Sequence, residues 1–179
     1  LYRVVPTTFE SRRPPRLSAL PSSELVELLK HPNAWHRETA ARLLFERQDA
    51  SVADAVEAMA RQHDSPLARL HALYVLDGLG ALTERLIAQA LEDPHPRVRQ
   101  HAIRLSESFG ESEVVRGRLE SLAIDEDARI RLQLAFTIGE IPVDWRVPIA
   151  AQLLRQDGQD SWQRFAVFSS LADGAGETL

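Results

Sequence analysis

The 179-residue chain contains no cysteine. That absence removes disulfides, thiolate nucleophiles, Cys-ligated zinc and thioether haem attachment together. It leaves the compartment open, since a fold without disulfides also works in an oxidising space. Positive charge is in short supply as well: 21 Lys and Arg stand against 26 Asp and Glu, giving a net charge of -5 and a pI near 5.7. Sequence-independent nucleic-acid binders are usually basic, so no nucleic-acid partner is expected, although a local basic stripe remains compatible. No apolar run reaches the ~18 residues of a membrane span, so no membrane insertion is expected of this segment. A secretory signal pattern is missing, and the chain opens on Leu1 rather than Met, which reads as an excised or processed piece of something longer. A Gly-rich phosphate loop, a nucleophile elbow and a Ser/His/Asp arrangement are missing too. Carboxylate pairs are frequent, but none sits in an apolar context that would raise a pKa for acid–base work.

What the chain does have is a period. An arginine recurs as Arg37, Arg69, Arg99, Arg131 and Arg164, at steps of 32, 30, 32 and 33 residues. Four residues before each one stands a helix N-cap or its substitute: Asn33, Ser65, His95, Asp127 and Asp160. A repeat of about 30 to 35 residues holding two helical patterns is the mark of an α-solenoid. The expected fold is therefore all-α, a right-handed α-solenoid of about five helix pairs. Repeats are expected at about 22–48, 51–79, 83–110, 113–141 and 145–173, with a tail at 174–179. Proline at the first helical position after Ser65 and His95 fits helix starts. Gly78, Gly80, Gly110 and Gly139 fall where second helices should end, and Gly158 falls in a helix–helix turn.

Residues 1–21 read differently. Leu1-Tyr2-Arg3-Val4-Val5 is a short β-prone run stopped by Pro6. Four prolines and Arg12, Arg13 and Arg16 then suggest an extended basic linker. An orphan strand before a linker is expected to be the end of a preceding β domain.

Within each repeat, the residue seven after the cap reads Ala40, Ala72, Ala102, Leu134 and Val167, and its neighbour reads Ala41, Leu73, Ile103, Ala135 and Phe168. Small side chains at this pair allow the ~8–10 Å approach of packed helices. Trp35 and Trp162, early in second helices, are expected to be core, as aromatics at helical spacing usually are, and Trp145 to be half-buried. In the turns, Asp64, Asp93, Asp125 and, as the nearest match, Asp157 precede the arginines, with His31 in the first repeat. Stacking would align acids and arginines as a ladder that sets register, with helix packing supplying most of the stability. The alternative is a line of arginines facing an acidic partner or a phosphate.

The run Asp93-Pro94-His95-Pro96-Arg97-Val98-Arg99-Gln100-His101-Ala102, echoed by Asp125-Glu126-Asp127-Ala128-Arg129-Ile130-Arg131, resembles the turn and second helix of the HEAT-repeat family in its shorter bacterial form. The resemblance spans residues 22 to 173. It implies HEAT-like, armadillo-like helix pairs and says little of function. A narrower likeness rests on Leu1-Tyr2-Arg3-Val4, His31-Pro32-Asn33-Ala34-Trp35-His36-Arg37, Arg69-Leu70-His71-Ala72-Leu73-Tyr74-Val75-Leu76 and Arg131-Leu132-Gln133-Leu134-Ala135. These blocks resemble the middle of bacterial membrane-bound dehydrogenases. In that family a sugar-dehydrogenase-type β-propeller is followed by HEAT repeats and often by a c-type cytochrome domain. The likeness implies a connecting or docking module in an exported protein. Propeller catalytic residues and the haem-binding Cys-x-x-Cys-His do not occur here, so none is carried over.

The expectation that follows is a non-catalytic scaffold, with no catalytic residues, cofactor or metal of its own. Its partner would be a protein or an adjacent domain of the same chain. Binding would use the concave surface lined by the second helices, with His36, His71, His101 and Gln133 as candidates. His71 and His101 share a repeat position, with Thr39 and Gln133 flanking them. A joint metal would need both nitrogens about 2.0–2.1 Å from the ion, and no third ligand is evident. Other readings are an enzymatic HEAT-like protein, bilin lyase-like or DNA glycosylase-like, and a free-standing regulatory scaffold. The iron-binding HEAT hydroxylases use His-Glu dipeptides, and none occurs here.

Overall fold

A computed structural model describes residues 15–171 of the chain. The anticipated strand at 1–5, the linker up to residue 14 and the tail at 174–179 lie outside the described residues. Within them every regular element is helical, and ten α-helices form five successive pairs. The pairs are α1 (Ser22–Leu28) with α2 (Ala34–Arg47), α3 (Ala53–Gln62) with α4 (Pro66–Gly78), and α5 (Glu84–Ala90) with α6 (Pro96–Leu105). They continue as α7 (Glu113–Leu122) with α8 (Ala128–Thr137), and α9 (Val143–Asp157) with α10 (Ser161–Leu171).

The helix starts follow from side-chain chemistry. Asn33, Ser65, His95 and Asp127 each accept a backbone N–H of the first turn, at 2.9 Å from Trp35, 3.5 Å from Ala68, 3.2 Å from Arg97 and 2.9 Å from Arg129. Asp160 does the same for Gln163 at 3.0 Å. Each bond satisfies one of the four amides that a helix start leaves open.

The second helices touch in series, α2 to α4 to α6 to α8 to α10, and α3, α5, α7 and α9 form a matching row of first helices. One continuous apolar core runs between the rows through all five pairs. Ala40, Ala72, Ala102, Leu134 and Val167 are all 0% exposed, so the residue seven after each cap lies at the centre of this core.

Several helix ends differ from expectation. The segments after α6 and α8 tighten into 3-10 turns, Ser106–Phe109 and Ile138–Glu140, instead of continuing as α-helix. Tighter turns satisfy the last carbonyls of a helix, and the Ser106 hydroxyl adds a 2.6 Å bond to the Ile103 carbonyl. Gly80 closes α4 at φ 64°, with the Ala81 amide returning to the Leu76 carbonyl at 2.8 Å. A Cβ on Gly110 would lie 2.8 Å from the Glu140 carbonyl oxygen, so glycine there lets the ends of repeats three and four meet.

Two further expectations are corrected. The last residues before α1, 15–21, do not run as an extended linker. Leu17–Ala19 form a 3-10 turn with Leu17 buried, and Arg47 of α2 donates to the Leu20 carbonyl at 2.7 Å and the Ser18 carbonyl at 3.0 Å. Trp35 and Trp162 are not core: they are 50% and 72% exposed. Both sit two residues before the ladder arginine, a position that is also exposed as Leu67 and Arg129. Trp145 is half-buried, with the Arg116 guanidinium 4.1 Å from its ring centroid.

Candidate functional site: the arginine ladder and the second-helix face

Arg69, Arg99 and Arg131 are each used on two edges. Nη1 turns back to the interhelical turn of its own repeat. For Arg69 it donates to the His63 and Asp64 carbonyls at 2.6 and 3.2 Å. For Arg99 the acceptors are Asp93 and Pro94, at 2.9 and 3.4 Å, and for Arg131 they are Asp125 and Glu126, at 2.5 and 3.3 Å. The other edge, Nε and Nη2, grips the carboxylate of the following repeat. Arg69 holds Asp93 at 2.7 and 2.7 Å, Arg99 holds Asp125 at 2.9 and 3.1 Å, and Arg131 holds Asp157 at 2.6 and 2.8 Å. A planar guanidinium suits such a two-point grip, which a lysine cannot reproduce.

The acids are tied down as well. Asp93 Oδ1 accepts the His95 amide at 2.8 Å, and Asp125 Oδ1 accepts the Asp127 amide at 2.9 Å. Each rung thus joins one turn to the next through side chains that are mostly buried. Its bonds to Asp157 push the Arg131 guanidinium further above its already high pKa. A surface groove of about 410 Å³ opens where the turns of repeats two and three meet, and both members of its Arg69–Asp93 pair are already engaged with each other.

Asp64 does not join the ladder. It is exposed and stands five residues before its arginine, whereas Asp93 and Asp125 stand six before theirs. The position six before Arg69 belongs to His63, whose Nδ1 accepts the Ser65 amide at 3.0 Å, as the aspartates do in later turns. His31 fills the same position in repeat one, accepting the Asn33 amide at 3.0 Å. Arg37 therefore faces a repeat whose rung position holds an imidazole. It keeps the carbonyls of its own turn, His31 at 2.6 Å and Pro32 at 2.8 Å, while its buried Nε has no hydrogen-bond partner. Arg164 at the other end is exposed and bonds the Gly158 and Gln159 carbonyls, with no carboxylate partner among the described residues.

On the second-helix face, His71, His101 and Gln133 share the position two after the arginine. No hydrogen bond joins any two of these three residues. His101 Nδ1 lies 2.8 Å from the Tyr74 hydroxyl, and the rings meet edge to face at 5.6 Å. Gln133 donates to the Thr137 hydroxyl at 3.3 Å, which in turn donates to Glu107 at 2.8 Å. Burial lowers the pKa of both histidines. For His71 the Arg37 charge adds to the effect and Glu38 opposes it; for His101 Arg104 and Arg97 add to it. Burial also raises the Tyr74 pKa, so a neutral hydroxyl faces the imidazole. His36 belongs elsewhere: it lies one residue before its arginine and stacks on His31 at 4.0 Å and on the edge of Trp35 at 5.0 Å. No cluster of three or more His, Asp or Glu able to hold a metal occurs among the described residues, and no described helix is long and apolar enough to cross a membrane.

Two features are not legible in the sequence. Arg146 of α9 is buried and donates only to carbonyls: Gly139 at 2.7 Å, Ile141 at 2.9 Å and Ser170 at 2.8 Å. It ties the end of α8 to α10 and breaks the repeat pattern, so periodicity gives no sign of it. The second feature is the distribution of exposed apolar bulk. Among the described residues nine large apolar side chains are at least 50% exposed: Trp35 and Phe45 of α2, Leu67 of α4, Phe136 of α8, and Trp162, Phe165 and Phe168 of α10 lie on second helices, whereas Val114 of α7 and Ile124 of the turn after it do not. No family model matches the chain, and no curated protein does.

Proposed function

We propose that this segment is a non-catalytic scaffold that binds protein or docks neighbouring domains through the face of its second helices. The observation that carries this reading is that seven of the nine exposed large apolar side chains among the described residues lie on those helices. Solvent-exposed Trp and Phe on a rigid repeat array are what a protein partner buries as interface anchors. The ladder arginines are a poor alternative for ligand binding, because three of the five spend both edges on internal bonds.

The parent protein, in this reading, is a multidomain bacterial membrane-bound dehydrogenase, with the HEAT-like array set between a β-propeller and a cytochrome domain. Short blocks such as His31-Pro32-Asn33-Ala34-Trp35-His36-Arg37 support that assignment. Reading the coding sequence on both sides tests it: a β-propeller upstream and a Cys-x-x-Cys-His downstream are expected, and repeats alone on both sides would contradict it. Docking is tested separately by measuring affinity for the adjacent domain. Trp35→Ser with Phe136→Ser should weaken binding tenfold or more without moving the melting temperature. Unchanged affinity would remove the second-helix face as the docking surface.

A further inference from the structure

The last repeat differs from the inner ones in what its second helix leaves uncovered. Four residues after the ladder arginine stand Leu73, Ile103 and Ala135 in repeats two to four, each 0% exposed; Phe168 holds that place in α10 and is 58% exposed. Phe165 beside it is 73% exposed. Arg164, one residue before Phe165 and one helical turn before Phe168, is anchored by Nη1 to the carbonyls of its own turn, as the inner arginines are. Its Nε and Nη2, the edge that grips aspartate in Arg69, Arg99 and Arg131, meet no acceptor among the described residues.

We propose that this end face of α10 is a docking surface for one more helix pair of the same class, carried in tandem and presenting an aspartate at the start of its interhelical turn. The three inner rungs supply the template. Each shows an arginine pre-set by its own turn and completed by an aspartate, which in Asp93 and Asp125 also accepts an amide of its turn. The exposed Phe165 and Phe168 would be covered by the incoming helices, as Leu73, Ile103 and Ala135 are covered in the inner repeats, and charge complementarity with Arg164 fixes where the acid must fall. A second copy of this chain stacked head to tail is a poorer occupant, because its leading turn carries His31 where the rung needs a carboxylate. The proposal deepens the scaffold reading and rests on it only in treating exposed apolar bulk as a protein-docking surface. Loss of docking at Trp35 and Phe136 would leave it standing, and its own failure would leave that face untouched.

An extended chain tests it. A copy of residues 139–171 placed directly after Leu171 puts the copied Asp157 at 26 residues beyond Arg164, the separation of the Arg99–Asp125 and Arg131–Asp157 pairs. A copy of residues 107–138 places Asp125 at the same separation and serves as a second variant. Amide exchange in α10 should slow at least tenfold in both extended chains, and Arg164→Gln or the copied Asp→Asn should remove most of that protection. Unchanged exchange in both extensions, or protection indifferent to both substitutions, would overturn the proposal. So would self-association of the unextended chain that Phe168→Ser abolishes, since the face would then belong to a second copy.

Discussion

Removing the guanidinium of Arg131 strands the mostly buried carboxylate of Asp157 and leaves two turn carbonyls without their donor. Breaking one side of such a pair costs more than the pair contributes, so Arg131→Ala should lower stability by about 3 kcal/mol. Arg164→Ala removes the same residue type from an exposed site with no acid partner among the described residues and should cost under about 1 kcal/mol. Denaturant unfolding of the two variants measures the difference. His63 supplies the converse experiment. It already occupies the acid position and accepts the turn amide, so His63→Asp should give Arg37 its missing carboxylate and stabilise the chain by about 1 kcal/mol. That gain should vanish in an Arg37→Ala background. The two face histidines give a pH signature. Both have folded pKa values below the ordinary 6.5, so the folded state binds fewer protons than the unfolded one. Their contribution is complete above about pH 6.5 and is lost as pH falls below it. Melting temperature should therefore fall between pH 7 and 5, and His71→Gln with His101→Gln should flatten that slope.

At the scale of elements, the caps and the core position were legible and the terminations were not. A cap is a single side chain at a fixed offset, and Asn33, Ser65, His95, Asp127 and Asp160 all mark starts. Where α6 and α8 tighten into 3-10 turns depends on bonds among late carbonyls, which no spacing in the sequence encodes. The tryptophans show a related limit. Trp35 and Trp162 have helical spacing from core residues, yet they stand at a position that faces solvent in other repeats too. The ladder was readable as a set of acids and arginines, but Asp64 drew attention from the six-residue offset that selects His63. Ala102, fully buried between neighbouring second helices, tests the packing directly. Ala102→Trp forces a large ring into a closed space and should cost about 3 kcal/mol or more, read as a fall in melting temperature.

The whole molecule is a row of units in which each helix pair contacts mainly its neighbours. In such a row, stability is close to a sum of unit terms and nearest-neighbour interface terms. The continuous apolar core supplies the bulk of each interface, and the rungs Arg69–Asp93, Arg99–Asp125 and Arg131–Asp157 fix which turn meets which. This level was visible in the arginine period before any side chain was placed. The second-helix face was less so, because its character comes from which large apolar residues the stacking leaves outside, and that depends on the packing of every repeat. If adjacent repeats are coupled through the rungs, a double-mutant cycle at the middle of the row must show it. Denaturant unfolding of Arg99→Ala, Asp125→Ala and the double variant should give a coupling energy of about 1.5–3 kcal/mol. A coupling indistinguishable from zero would mean that packing alone joins the repeats and that the ladder is a by-product of stacking.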